Sequence, residues 1–362
     1  MEGALDLRRV GFDLSPSRKR EGSFFVEDHS ISLLERLGEV EVMSLGEAQE
    51  RYPELVERLR FSLIRPEGEL AKFKEVTPTG YFIRVPAGVK MSFPVQSCYV
   101  VKTEGFEQRV HNLIIVEEGA SAQIITGCTR GSHVLAGLHI GVTEIFVGKN
   151  ASLTYTMVHE WGKEMEITPK TAVRVEEGGK YISNYFAVTE VKRVIAYPRA
   201  FLSRRAFAGF YSSIYAKGLS FFDTGAALIL EGDGARGEIV SRVVAGDGSK
   251  VISRGLIEAR SGSTRGHMEC NAIMISDSSC VQAIPELTSY HPDVELSHEA
   301  AVGKIAQEEI EYLMSRGVSE EAAKSLIVKG FLTPRLENLT PELEEAVLNT
   351  IEEALRTAGS GM

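Results

Sequence analysis

The stretch Asn112-Leu-Ile-Ile-Val-Glu-Glu-Gly-Ala-Ser-Ala-Gln-Ile-Ile125 carries the pattern on which the fold is read. A short apolar run, residues 112–116, is cut by Glu118-Gly119-Ala120 and followed by an alternating run, residues 122–125. Aliphatic and β-branched runs this short, bounded by Gly and Ser, signal strand, turn and strand. Outward from that point the texture repeats. Tyr81–Val85 is another such run, and turn clusters recur at Lys149-Asn150-Ala151, Glu177-Gly178-Gly179, Gly232-Asp233-Gly234, Gly246-Asp247-Gly248, Ser261-Gly262-Ser263, Asp277-Ser278-Ser279 and His291-Pro292-Asp293. Their spacing is roughly 15 residues or about twice that, the length of a strand with its turn. A solenoid, in which each coil buries its inward residues against the neighbouring coils, accounts for such a rhythm. An antiparallel sandwich has strands of similar spacing and stays open as the alternative at this point.

The flanks differ in texture, so three regions are expected: a small α/β cap over residues 1–78, the β core over 79–299 and a helical subdomain over 300–362. In the cap, Ala48, Tyr52, Leu55, Val56 and Leu59 predict a helix over 47–63. At the other end, Ile305, Ile310, Leu313 and Met314 mark a helix that Arg316-Gly317 ends. Ser319, followed by Glu320 and Glu321, caps a second helix carrying Ala323, Leu326, Ile327 and Phe331. Thr340-Pro341 opens a third, with Leu343, Val347, Leu348, Ile351 and Leu355 on one face.

With 362 residues the chain can bury a substantial core, and its charge excludes some partners. Forty Lys+Arg against fifty Asp+Glu give a formal charge of -10, the wrong sign for neutralising nucleic-acid phosphates or anionic lipid. Nucleic acid and membrane are therefore not expected partners. Four cysteines, Cys98, Cys128, Cys270 and Cys280, form no CxxC pair, and no apolar leader or membrane-length apolar run is present. A reducing, cytoplasmic location is expected.

Four segments, in order, resemble the SufB/SufD family of the SUF iron–sulfur assembly system. They are Gly80-Tyr-Phe-Ile-Arg-Val-Pro-Ala-Gly-Val89 with Pro94-Val-Gln96; His111 through Glu118-Gly119-Ala120 to Gly127-Cys128-Thr129; Leu138-His139 through Tyr155-Thr156 to Trp161; and Val294-Glu-Leu-Ser-His-Glu-Ala-Ala-Val-Gly-Lys-Ile305, continuing through Tyr312-Leu-Met-Ser-Arg-Gly317 to Ile327-Val-Lys-Gly-Phe331. The resemblance covers roughly residue 80 onward. It implies a parallel β-helix, a dimer formed through that helix, and docking of a SufC-type ABC ATPase on the C-terminal helices, at Ile305, Ile310, Tyr312, Leu313, Arg316, Gly317, Ile327 and Phe331. A transient iron–sulfur cluster is the implied cargo, and a reduced flavin accompanies some related complexes. The sulfur donor is not implied.

Within Met268-Glu-Cys-Asn-Ala-Ile-Met274, Cys270 matches the essential cysteine of SufB, while His298 and Glu299 match residues that SufD and SufB respectively bring to their shared interface. Carrying both partners' residues, the chain is expected to form a homodimer with Cys270, His298 and Glu299 as cluster ligands. Soft thiolate suits iron and sulfide, and imidazole and carboxylate are weaker, more exchangeable ligands. Cys128 matches a cysteine that accepts sulfur and passes it along the β-helix; Cys98, 30 residues earlier, is spaced either to stack on it as a thiol pair or simply to fill the core beside it. Blander readings stand beside these: Cys270 as a small buried hydrophobe, His298 as a hydrogen-bonded structural residue, Glu299 as the first acidic residue of a helix. His111, His139, His159 and His267 lack metal-ligand spacing and read as structural. Gly232-Asp-Gly and Gly246-Asp-Gly lack the Lys-Ser/Thr of a P-loop, so any ATP hydrolysis is expected of the partner, and the resemblance implies an assembly scaffold rather than an enzyme. A supporting SufD-like subunit and, more remotely, a β-helix carbohydrate-active enzyme are the competing functions.

Overall fold

The computed structural model describes residues 6–74 and 79–333, together with 345 and 349. Its strands, in chain order, are β1 (Gly22–Glu27), β2 (Ser30–Arg36), β3 (Glu41–Ser44), β4 (Tyr81–Val85), β5 (Val95–Val101), β6 (Glu107–Val116), β7 (Ser121–Arg130), β8 (Ala136–Val147), β9 (Ser152–Glu160), β10 (Glu164–Val175), β11 (Lys180–Ala187), β12 (Arg193–Ala196), β13 (Arg199–Leu202), β14 (Phe207–Ala216), β15 (Phe221–Leu230), β16 (Arg236–Ala245), β17 (Lys250–Ala259), β18 (Thr264–Met274), β19 (Cys280–Ser289) and β20 (Val294–Gly303). They alternate between two facing sheets. The first runs β2-β1-β5-β7-β9-β11-β14-β16-β18-β20, the second β19-β17-β15-β12-β10-β8-β6-β4-β3, with β13 beside β10 and β15.

From β5 onward every pairing within a sheet is parallel, so each strand is joined to its neighbour by a complete coil through the opposite sheet. Arg236 pairs with Arg265 and Thr264 with Val294, steps of 29 (265 minus 236) and 30 (294 minus 264) residues. Those steps are the doubled turn spacing of the sequence. The parallel β-solenoid is thus the fold, and the sandwich is excluded. The turn clusters supply its corners: Gly119, Asn150, Gly178, Gly234, Asp247 and Ser263 all take left-handed backbone, with φ between 49° and 70°. Glycine does so without steric cost, and Asn and Asp tolerate it best among the rest.

Alternation along each strand sends one set of side chains inward. On β18, Met268, Cys270 and Ala272 belong to the central core, whereas Arg265, His267 and Glu269 face out. The outer face of the first sheet carries a second apolar cluster, in which Cys98, Val100, Phe186, Tyr215 and Val244 are covered by Val10 and Phe12 from the N-terminus and by Val328 and Leu332 from the C-terminus.

The helix expected over 47–63 is two helices, α1 (Leu45–Arg51) and α2 (Pro53–Leu59). Pro53 has no N–H and disfavours helical backbone at the residue before it; Tyr52 accordingly has φ -133° and ψ 55°. The first 78 residues also supply strands to both sheets, β1 parallel to β5 and β3 antiparallel to β4. At the other end β20 continues to Gly303, four residues past 299 (303 minus 299), so Glu299 lies in a strand and not at a helix start. Then follow α3 (Gln307–Ser315), ending at Arg316-Gly317, and α4 (Glu320–Leu332), whose Ser319 Oγ accepts from Ala322 N as expected of a cap. The expected third helix lies outside the described residues but for Glu345 and Asn349. No helix among the described residues is long and apolar enough to cross a membrane.

Candidate functional site

Cys270 stands on the inner face of β18, 3% exposed. Its register neighbours are Ser241 on β16 and Ala300 on β20. From the opposite sheet Ser253 hydrogen-bonds the thiol, and Ser253 Oγ lies 3.2 Å from Ser241 Oγ. Burial pushes the Cys270 thiol above its ordinary range, the Ser253 hydrogen bond opposes that rise, and the charge of Glu269 adds to it. As it stands, the group is a thiol in a small hydroxyl-lined recess.

His298 registers with Met268, two residues along from the Ala300 that faces Cys270. It shares the inward face with Cys270 as a diagonal neighbour, within reach of a long side chain. Its Nε2 is buried and makes no hydrogen bond among the described residues. Glu299 is placed differently. It registers with Glu269 on the outer face and is exposed. A one-residue step along a strand reverses the side chain's face, so the structure brings Cys270 and His298 together and sets Glu299 on the far side of the same strand. Among the described residues no three His, Cys, Asp or Glu side chains converge as a metal site.

Of the two readings of Cys98 and Cys128, the structure shows core-filling residues and not a thiol pair. Cys98 registers with Gly127 and Cys128 with Tyr99, and this offset of one residue leaves Cys98 in the outer cluster and Cys128 in the central core. Burial pushes the Cys128 thiol far above its ordinary range. Cys280, at the start of β19, is exposed.

Sequence reasoning treated the polar surroundings of Cys128 as structural. The coil step places His159 directly beside Cys128, 31 residues on (159 minus 128). His159 Nδ1 is 3.1 Å from Tyr185 Oη, while its Nε2 and the neighbouring Trp161 Nε1 are buried without hydrogen bonds among the described residues. His139 Nδ1 lies 2.7 Å from Gln108 Oε1. Burial holds both imidazoles neutral, with pKa values lowered to about 3. His111 is a structural residue, its Nε2 2.9 Å from the buried Glu144 carboxylate.

Between Cys128 and Cys270 the interior holds a cavity of about 70 Å³, lined on this side by Tyr155, Tyr185, Phe210, Ser212, Thr224 and Ser241. Pockets for drug-sized ligands begin near ~300 Å³, so this space does not accommodate a flavin. Of the residues expected to meet a partner, Ile310 is buried, Ile305 and Phe331 pack against the outer apolar cluster, and Tyr312, Leu313 and Ile327 line a shallow groove with Glu308 and Glu309.

Comparison with known proteins bears on what this arrangement serves. The family model for the SufBD core domain of the SUF system for FeS cluster assembly matches residues 99–331. An iron-sulfur cluster assembly SufBD family protein of Archaeoglobus fulgidus is 44% identical over 353 residues, 97% of this chain and 94% of the relative. One from Methanothermobacter thermautotrophicus is 37% identical over 365 residues, 97% of this chain and 87% of the relative. A third, from Staphylococcus saprophyticus, is 32% identical over 268 residues, 73% of this chain and 57% of the relative. With the core-domain match covering well over half of its length and relatives aligned almost end to end, this chain belongs to the SufBD family of iron–sulfur cluster assembly proteins.

Proposed function

We propose that the chain is a scaffold on which iron and sulfide are joined into a transient iron–sulfur cluster at the open end of the solenoid, with Cys270 and His298 as ligands. The observation that carries this is a cysteine and an unpartnered imidazole on one face of β18 and β20, beside an edge to which no described strand is paired. One copy offers too few ligands to hold a cluster. Two copies meeting at that edge around a two-fold axis would double them and satisfy the exposed backbone groups of the edge strands. Glu299 flanks the edge from the outer face, open to incoming ferrous iron.

Cys128 is the proposed sulfur acceptor, and the interior cavity lies between it and Cys270. A SufC-type ATPase is the proposed occupant of the α3–α4 surface, where Tyr312, Met314 and Leu326 are exposed; such apolar exposure rimmed by acidic residues suits a protein partner. Tyr312→Asp combined with Ile327→Asp should abolish co-purification with that ATPase, and an intact complex would remove the groove from the interface. The cytoplasm is the proposed location, since uncoupled thiols and an exposed Cys280 suit a reducing compartment.

Anaerobic reconstitution with ferrous iron and sulfide tests the ligand assignment. Wild-type protein should gain the visible absorbance of a cluster and Cys270→Ala should not. A purely supporting, SufD-like role is favoured by one observation, the burial of Cys270, and it predicts the same spectrum for both proteins.

A further inference from the structure

On the outer face of the first sheet Arg242 makes a polar link between the C-terminal helices and the strand that bears Cys270, beside the apolar packing of Ile273 against the cluster that holds Val328 and Leu332. It stands on β16 and registers with Asn271 of β18. Its Nη1 donates to the Phe331 carbonyl oxygen at 3.2 Å, and its guanidinium lies 6.0 Å from the centre of the Phe331 ring. On the other side its Nη2 is 3.8 Å from Glu269 Oε1, the same oxygen that accepts from Asn271 Nδ2 at 2.7 Å.

Each end of this bridge has a physical reason. Phe331 belongs to the last turn of α4, where carbonyls have no partner within the helix and carry the negative end of its dipole. A planar guanidinium presents several donors in fixed directions and can serve two acceptors at once. Only 26% of the Arg242 side chain and 25% of the Glu269 side chain are exposed, so their attraction is less screened than that of a surface pair. Glu269 is covalently next to Cys270 and registers with Glu299, another carboxylate. Whatever displaces α4 must therefore change the company of Glu269.

We propose that Arg242 is a positioning residue that couples the seating of the C-terminal helices to the edge carrying Cys270 and Glu299, by holding the Phe331 carbonyl and the Glu269 carboxylate together. With α4 seated, Arg242 neutralises Glu269 and fixes β18. With α4 drawn away, Glu269 loses its restraint beside Glu299, and two carboxylates are left to attract a cation at the edge. The functional meaning rests on the proposed sites for cluster and ATPase. The coupling itself is tested without either.

The test is a double-mutant cycle read by amide hydrogen exchange in the full chain. Phe331→Ala, which loosens α4, should speed exchange in residues 264–274 about fivefold, a size typical of coupling between touching residues. In an Arg242→Ala background the same change should leave those amides within about twofold, because the link is already cut. Arg242→Lys guards against a folding defect. Its compact ammonium can neutralise Glu269 but not hold both acceptors, so it should restore basal protection of β18 and remain insensitive to Phe331→Ala. An equal effect of Phe331→Ala in all three backgrounds, or none in the wild type, overturns the coupling. Loss of cluster formation with an intact cycle would count against the scaffold and not against Arg242.

Discussion

The two ends of the solenoid are built from the same strand repeat and finished in opposite ways. At the N-terminal end β2 folds back antiparallel on β1, and α1 and α2, through Leu45, Ala48 and Val56, cover Met43, Phe82 and Leu113. The carboxylate of Glu144, fully buried, accepts from the backbone N–H groups of Phe61, Leu63 and Ile64 at 2.6, 2.7 and 3.2 Å, sealing the connection that follows α2. At the C-terminal end the helices turn away to the outer face of the first sheet, leaving the outer edges of β19 and β20 without a paired strand among the described residues and Leu287, Tyr290 and Val302 exposed. An open sheet edge is a template for pairing, and proteins ordinarily blunt it. The end left open is the one that carries Cys270, His298 and Glu299, which is what supports the proposed meeting of two copies there.

Matched truncations at the two ends should separate these roles. Phe82→Ala, in the closed cap, removes a fully buried ring and should cost about 3–5 kcal/mol in chemical denaturation. Leu287→Ala, at the open edge, should change the stability of the monomer by less than about 0.5 kcal/mol while lowering the fraction of dimer. Comparable losses of monomer stability at both sites would erase the contrast.

A smaller effect distinguishes the sealed interior from the edge by pH. His139 and His159 keep pKa values near 3 because burial disfavours their charged forms. The unfolded chain takes up these protons below about 6.5, the native state only near 3, so stability is complete above about 6.5 and falls as the pH drops. The slope is about 1.4 kcal/mol per pH unit for each histidine. His159→Gln should flatten it by one histidine's share in denaturation curves between pH 6.5 and 4.5, whereas an unchanged slope would mean that the interior tolerates the charge.

Much of the fold was legible because one physical cause repeats. Turn residues able to adopt left-handed backbone recur at Gly119, Asn150, Gly178 and Asp247, and the apolar runs between them have the length of a strand. The sandwich alternative could not be removed from the sequence, since strand length and turn chemistry are common to both folds and only the parallel register separates them. The break at Tyr52-Pro53 was legible in principle from Pro53, but the apolar spacing across it is continuous. In the site, the residue types and the approximate coil length bring Cys270 near His298. What spacing alone did not convey is parity: a single-residue offset sends Glu299 outward and parts Cys98 from Cys128. The surroundings of Cys128, and the reach of Arg242 from Phe331 to Glu269, depend on a coil step that varies between 27 (207 minus 180) and 31 (152 minus 121) residues, too loose to fix side-chain neighbours beforehand.

On the proposed function, the open end becomes a cluster site only when two copies meet there. Native mass spectrometry after anaerobic loading with iron and sulfide tests it most directly, because monomer and dimer are weighed separately. Iron and sulfide carried by the dimer alone, and lost from it in Cys270→Ala, is the predicted result. Iron and sulfide retained on the monomer, or on a dimer lacking Cys270, would contradict it.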